Sequence, residues 1–100
     1  MEIILCRTIS LSPTISGWRD LRKSFEAGFL PENGDIILST AFEEDEDVKV
    51  IGREFDYEMD CVYVYLEHLS IDSSDEYDLK AYVDSYLSHD WDCSYYGFEK

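Results

Sequence analysis

Positive charge is scarce in this chain of 100 residues: eight Lys and Arg stand against 23 Asp and Glu, a formal charge of −15. Such a field repels nucleic acid and anionic membrane, and it attracts basic proteins and cations over a Debye length of ~8 Å at physiological salt. Direct binding to DNA or RNA is therefore not expected. Proline is equally sparse, at two residues, while fifteen residues are aromatic, which opposes the disorder that high charge would otherwise imply. Long apolar runs are missing. The longest, CVYVYL, falls far short of the ~18 residues of a membrane span, so no membrane contact is expected. MEIILCRTIS has no basic leader and only a four-residue apolar run, so it does not read as a secretory signal. The three cysteines, Cys6, Cys61 and Cys93, are odd in number, far apart and without metal-type spacing. Reduced thiols in a cytoplasmic protein are the expectation.

What is present fits one folded domain over residues 1–100, since 45% of the residues are hydrophobic and the length suffices for a single core. The charge is unevenly placed. Residues 1–40 hold five acids and four bases, a net of −1, and residues 41–100 hold eighteen acids and four bases, a net of −14.

Residues 2–9, rich in Ile and Leu, read as a first strand. Ser16 can cap a helix through Trp18, Leu21 and Phe25, ended by Gly28 and Pro31. After the turn PENGD, residues 35–42 (DIILSTAF) read as a second strand. EEDED, residues 43–47, is a charged connection too polar to be buried. VKVIGREFDYEMDCVYVYL, residues 48–66, reads as one long strand with a bulge or break at Gly52. Ser73 and Glu76 form a capping box ahead of a helix whose Leu79, Tyr82, Val83, Tyr86 and Leu87 make one stripe. WDCSYYGF closes the chain as a strand. The order β-α-β-β-α-β predicts an α+β, ferredoxin-like domain, with an antiparallel or mixed sheet and two helices on one face.

Within the long strand, Glu54, Asp56, Glu58 and Asp60 alternate with Phe55, Tyr57, Met59 and Cys61. Period-two geometry sends the acids to one face as a line of charges ~6.6 Å apart and the larger groups to the core. Three neighbouring pairs repel by roughly 2 kcal/mol in water, a cost that a merely wet sheet face would avoid by interspersing lysines. A basic partner would convert this repulsion into binding energy. Glu43, Glu44, Asp45, Glu46 and Asp47 make a second acidic tip, and Asp72, Asp75, Glu76 and Asp78 make another patch where the helix dipole also favours acids. Of the consecutive Tyr95 and Tyr96, one should face outward beside Asp90, Asp92 and Glu99, and tyrosine next to carboxylate suits an arginine.

No metal site or cofactor is expected, because counting from Glu43, Asp45 or Asp72 puts Val48, Val50 or Tyr77 where an EF-hand needs its glycine. No catalytic residue is assigned either. Cys61 and His68 match no cysteine-enzyme signature, and no Gly-rich phosphate loop, H-E-x-x-H or G-x-S-x-G occurs.

In size, charge and its row of carboxylates the chain is similar to small acidic DNA-mimic proteins, among them phage inhibitors of restriction enzymes, of uracil-DNA glycosylase and of CRISPR effector complexes. The likeness covers residues 41–100 and rests on composition, with no motif shared with any one family. It implies a non-catalytic, cytoplasmic inhibitor of anti-CRISPR or anti-restriction type that occupies the cationic groove of a nucleic-acid-binding protein or complex. An immunity protein against a basic nuclease toxin would use the same chemistry. A small divalent-metal-binding or regulatory domain is the reading from a different class.

Overall fold

The computed structural model describes residues 2–12, 18–26, 28–43, 46–73 and 75–96, with the side chains of 94–96 outside that description. Among the described residues the chain forms β1 (Glu2–Ser12), β2 (Trp18–Glu26), β3 (Ile36–Ile37), β4 (Val48–Asp56), β5 (Cys61–Leu66), β6 (Leu69–Asp72), α1 (Glu76–Leu87) and β7 (Asp92–Tyr96). The strands form a curled, half-barrel sheet in the order β3-β4-β5-β1-β2-β7, with β6 also on β1. Among the described residues a mostly β architecture with one helix replaces the expected ferredoxin-like α+β arrangement with two helices.

β1 organises the sheet. Its odd positions Ile3, Leu5, Ile9 and Leu11 enter the core, and Cys6 and Ser10 on the opposite face are buried too. A strand buried on both faces must meet its backbone hydrogen bonds along both edges. β5 takes one edge in parallel from Glu2 to Cys6, and β6 takes the same edge from Ile9 to Ser12. β2 takes the other edge, antiparallel, from Glu2↔Glu26 to Ser10↔Trp18.

That pairing overturns the first expected helix. Trp18, Leu21 and Phe25 have helical spacing, and Leu, Arg and Lys favour helices, but β1 supplies nine successive partners for residues 18–26. As a strand the segment buries Leu21 and leaves Phe25 partly exposed. The expected strand over 35–42 shrinks to Ile36–Ile37, because the chain then leaves β4 and turns, with Phe42 N–H donating to the Ser39 carbonyl at 3.1 Å. Leu38 consequently points to solvent, while Phe42 packs on Tyr86 and Trp91 with centroids 5.9 and 5.8 Å apart.

The single long strand over 48–66 is also corrected: it is a hairpin, β4 and β5 joined by a turn at residues 57–60. Period-two alternation of acids and larger groups runs unbroken through the turn, so periodicity alone cannot locate it. The turn chemistry can. Asp56 Oδ1 accepts from the N–H groups of Glu58 and Met59, both at 3.1 Å, and Asp60 takes a left-handed conformation at φ 55°, which Asp tolerates better than most residues. The irregularity at Gly52 is present, as a register shift between Val50 and Gly52 that makes Ile51 the extra residue.

α1 has the expected stripe, with Leu79, Val83 and Tyr86 buried, Tyr82 half-buried and Leu87 at the margin. Its cap differs from the Ser73–Glu76 box. Asp75 is the N-cap, its Oδ1 accepting from Tyr77 N–H at 2.9 Å, while Ser73 Oγ accepts from Asp75 N–H and donates to Asp78. The helix packs on β1, β2 and β7, and Trp91 behind it is almost fully buried. The closing strand appears as β7, antiparallel to β2. Among the described residues no helix is long and apolar enough to cross a membrane.

Candidate partner-binding surface

The β4–β5 hairpin projects beyond the reach of α1, which sits over β1, β2 and β7. Phe55 lies in register with Val62, and Val62 with the buried Ile3, so it points to the core side of the sheet; yet the core has ended there and Phe55 is 44% exposed. Tyr57 and Met59, in the turn, are 89% and 71% exposed. The expectation that Phe55, Tyr57 and Met59 are core residues is therefore corrected, whereas Cys61, the fourth of that set, is buried. The Phe55 and Tyr57 rings stack at 6.2 Å with 14° between planes, and the Arg53 guanidinium lies 5.8 Å from the Phe55 centroid. A shallow depression of about 580 Å³ at the hairpin is lined by Glu54, Phe55, Asp56, Tyr57, Glu58 and Tyr63.

Carboxylates frame these rings, though not as the expected line of four. Glu54 and Asp56 share a strand face, while Glu58 and Asp60 belong to the turn, so only one pair keeps strand spacing. Each strand acid is positioned. Glu54 accepts from the Tyr65 hydroxyl at 2.6 Å, a bond that pushes the Tyr65 phenol up to about 12, and Asp56 closes the turn through the two N–H groups already described. Glu58 and Asp60 are exposed.

The acidic tip at 43–47 is divided by the fold. Glu44 and Asp45 lie outside the described residues. Glu43 and Asp47 are exposed, Glu43 accepting from the Tyr82 hydroxyl at 3.1 Å, which raises the Tyr82 pKa. Glu46 turns inward, against the expectation that this segment is too polar to be buried: its Oε2 accepts from Arg7 Nη2 at 2.6 Å. Arg7, 4% exposed, fills the gap where β5 hands β1 over to β6, donating Nε to the Glu67 carbonyl at 3.0 Å and Nη1 to the Tyr86 hydroxyl at 2.8 Å, with Phe42 5.3 Å from its guanidinium. Glu46 is thus the counterion of a buried base. The sequence offered one signal for this pair, a lone base inside a first strand rich in Ile and Leu.

The third patch is exposed at Asp72, Asp75, Glu76 and Asp78, with Asp75 and Asp78 engaged in the helix cap. Tyr95 and Tyr96 extend β7 opposite Asp20 and Arg19, and their side chains lie outside the description.

The opposite sheet face holds Cys6, Arg22, Tyr63 and Tyr65. Arg22 lies 5.4 Å from the Tyr63 ring centroid, and burial pushes the Cys6 thiol up to about 11 in spite of that guanidinium. Cys61 opens β5 and His68 lies two residues beyond its far end, where His68 Nε2 meets Ser10 Oγ at 2.6 Å instead. Ser10 is 1% exposed, so this contact satisfies a buried hydroxyl and presents no nucleophile to a substrate. Cys6, Cys61 and Cys93 all remain thiols. Among the described residues no three His, Cys, Asp or Glu side chains are grouped to hold a metal ion.

No known protein family matches the chain, and neither a curated protein sequence nor a solved structure is significantly similar to it.

Proposed function

We propose that this protein is a non-catalytic inhibitor that docks its acidic hairpin into the cationic groove of a nucleic-acid-binding protein or complex, as a DNA mimic of anti-CRISPR or anti-restriction type does, within a cytoplasm. The observation that carries the reading is the exposure of Phe55, Tyr57 and Met59 at one tip between Glu54, Asp56, Glu58 and Asp60. Large apolar groups cost solubility when clustered on a surface, and aromatic or Met anchors inside a polar rim have the composition of binding hot spots. The carboxylates steer the hairpin toward positive potential, and the rings supply contact area once water is expelled. The hairpin acts as a charged wedge, in which two acids imitate adjacent phosphates and two more surround the tip.

The test is co-purification from a host lysate at low and high salt, with the bound protein identified and challenged by duplex DNA. A basic nucleic-acid-binding partner, displaced by DNA and by salt, is the expected result. Two variants should abolish capture: one carrying Glu54→Gln, Asp56→Asn, Glu58→Gln and Asp60→Asn, the other Tyr57→Ser with Met59→Ser. Undiminished capture by both, or a partner indifferent to nucleic acid, would overturn the reading.

A further inference from the structure

We infer that the outer edge of β4, from Gly52 to Asp56, is a strand-addition site for an extended segment of the partner in which lysine or arginine alternates with apolar residues. The inference rests on the cationic-partner reading above and adds how the partner's chain is held.

β4 has two neighbours in the sheet, β5 and β3. β5 accompanies it from Val50 to Asp56. β3 matches only Val48 and Lys49, and two backbone bonds of 2.9 Å, Gly34 N–H to the Val50 carbonyl and Val50 N–H to the Asp35 carbonyl, extend that cover by one residue. There the cover stops. Ile51 bulges, and from Gly52 onward no described residue bonds to the backbone of β4 on the side away from β5. Alternate residues of an antiparallel strand turn both N–H and C=O outward, and a row of such groups is a template for another strand.

The side chains on this edge select its occupant. A second copy of the chain would bring its own net charge of −15, and like charges directly opposite one another across a strand pair are destabilising. A strand with a base at every second position would instead set those bases opposite Glu54 and Asp56, which share a face and are held in place by Tyr65 and by the turn. Arg53, the one base on this stretch, is drawn aside: its Nη1 donates to the Pro31 carbonyl at 3.2 Å and its guanidinium lies over Phe55. On the other face, the half-open Phe55 ring offers contact to the apolar residues of the same incoming strand. Main-chain pairing would then supply affinity and the alternation would supply specificity.

The probes are an octapeptide of alternating lysine and valine, and its peptoid counterpart, which carries the same side chains on the backbone nitrogens and has no N–H to donate. Both are added at low salt to the whole, isotope-labelled chain, with affinity and amide exchange read by NMR. Slowed exchange at alternate residues of Gly52–Asp56, and binding of the peptoid weaker by about tenfold or more through two or three lost backbone hydrogen bonds, is the expected result. Equal affinity of the two probes, or slowing confined to other strands, overturns strand addition and leaves the cationic-partner reading standing. Failure of both probes to bind overturns the two together.

Discussion

Arg7 and Glu46 meet at 2.6 Å inside the fold, although the first belongs to a strand rich in Ile and Leu and the second to the most acidic stretch of the sequence. The pair ties the 43–47 segment to the centre of the sheet. Removing one partner of a buried ion pair leaves the other uncompensated, which is far more costly than losing a surface contact. Glu46→Ala should therefore destabilise the protein by about 3 kcal/mol, the low end for buried pairs, since the Glu46 side chain is 18% exposed. Asp47→Ala, one residue away and exposed, should change stability by less than about 0.5 kcal/mol. Urea unfolding of both variants checks this, and equal effects would contradict the buried pair.

Stability should fall on the alkaline side. Burial raises the Cys6 thiol from 9.0 to about 11, so between those values the unfolded chain has released a proton that the folded one retains. The contribution is fully present below pH 9 and is lost as pH rises through about 11, amounting to about 2 kcal/mol. Tyr65 and Tyr86, each pushed up to about 12, add loss of the same sign at higher pH. Urea midpoints measured from pH 8 upward should decline less steeply between pH 9 and 11 for Cys6→Ala than for wild type. An unchanged slope would remove Cys6 from the account.

The helix cap gives a sharp contrast between neighbouring acids. Asp75→Ala should cost about 1 kcal/mol, because it removes the acceptor for Tyr77 N–H. Glu76→Ala should stay within about 0.5 kcal/mol, since the Ser73 N–H it would meet in a capping box is instead bonded to the Ile71 carbonyl at 2.8 Å. Thermal unfolding of the two variants distinguishes the caps; the reverse order would restore the box.

Charge removal at the hairpin should alter stability little. With only Glu54 and Asp56 at strand spacing, the repulsion relieved is about 0.6 kcal/mol, not the roughly 2 kcal/mol of a four-acid row. Glu58→Gln with Asp60→Asn should leave the free energy of urea unfolding within about 0.5 kcal/mol of wild type, the Asn keeping the left-handed conformation at position 60. A gain of about 1.2 kcal/mol, the two neighbouring pairs that this variant would remove from a four-acid row, would mean that the four acids do lie in line.

Local pattern by itself determined the elements whose burial and ends are written in neighbouring residues. The stripe from Leu79 to Leu87 set α1, the apolar run near the N-terminus set β1, Gly52 marked the bulge, and the excess of acids set the sign of the surface. Tertiary structure decided the rest, because the deciding partners lie far along the chain. Residues 18–26 carry a helical spacing that loses to β1, whose unmet edge can be satisfied only by a strand. The alternation from Glu54 to Cys61 is the same in a strand and in a hairpin, so only pairing with β5, and the missing cover of α1, turned Phe55, Tyr57 and Met59 outward. Glu46 looks like its acidic neighbours until Arg7, 39 residues away, needs a counterion. Local sequence sets which groups carry charge; the sheet's hydrogen bonds and the limits of its core determine which of them face a partner.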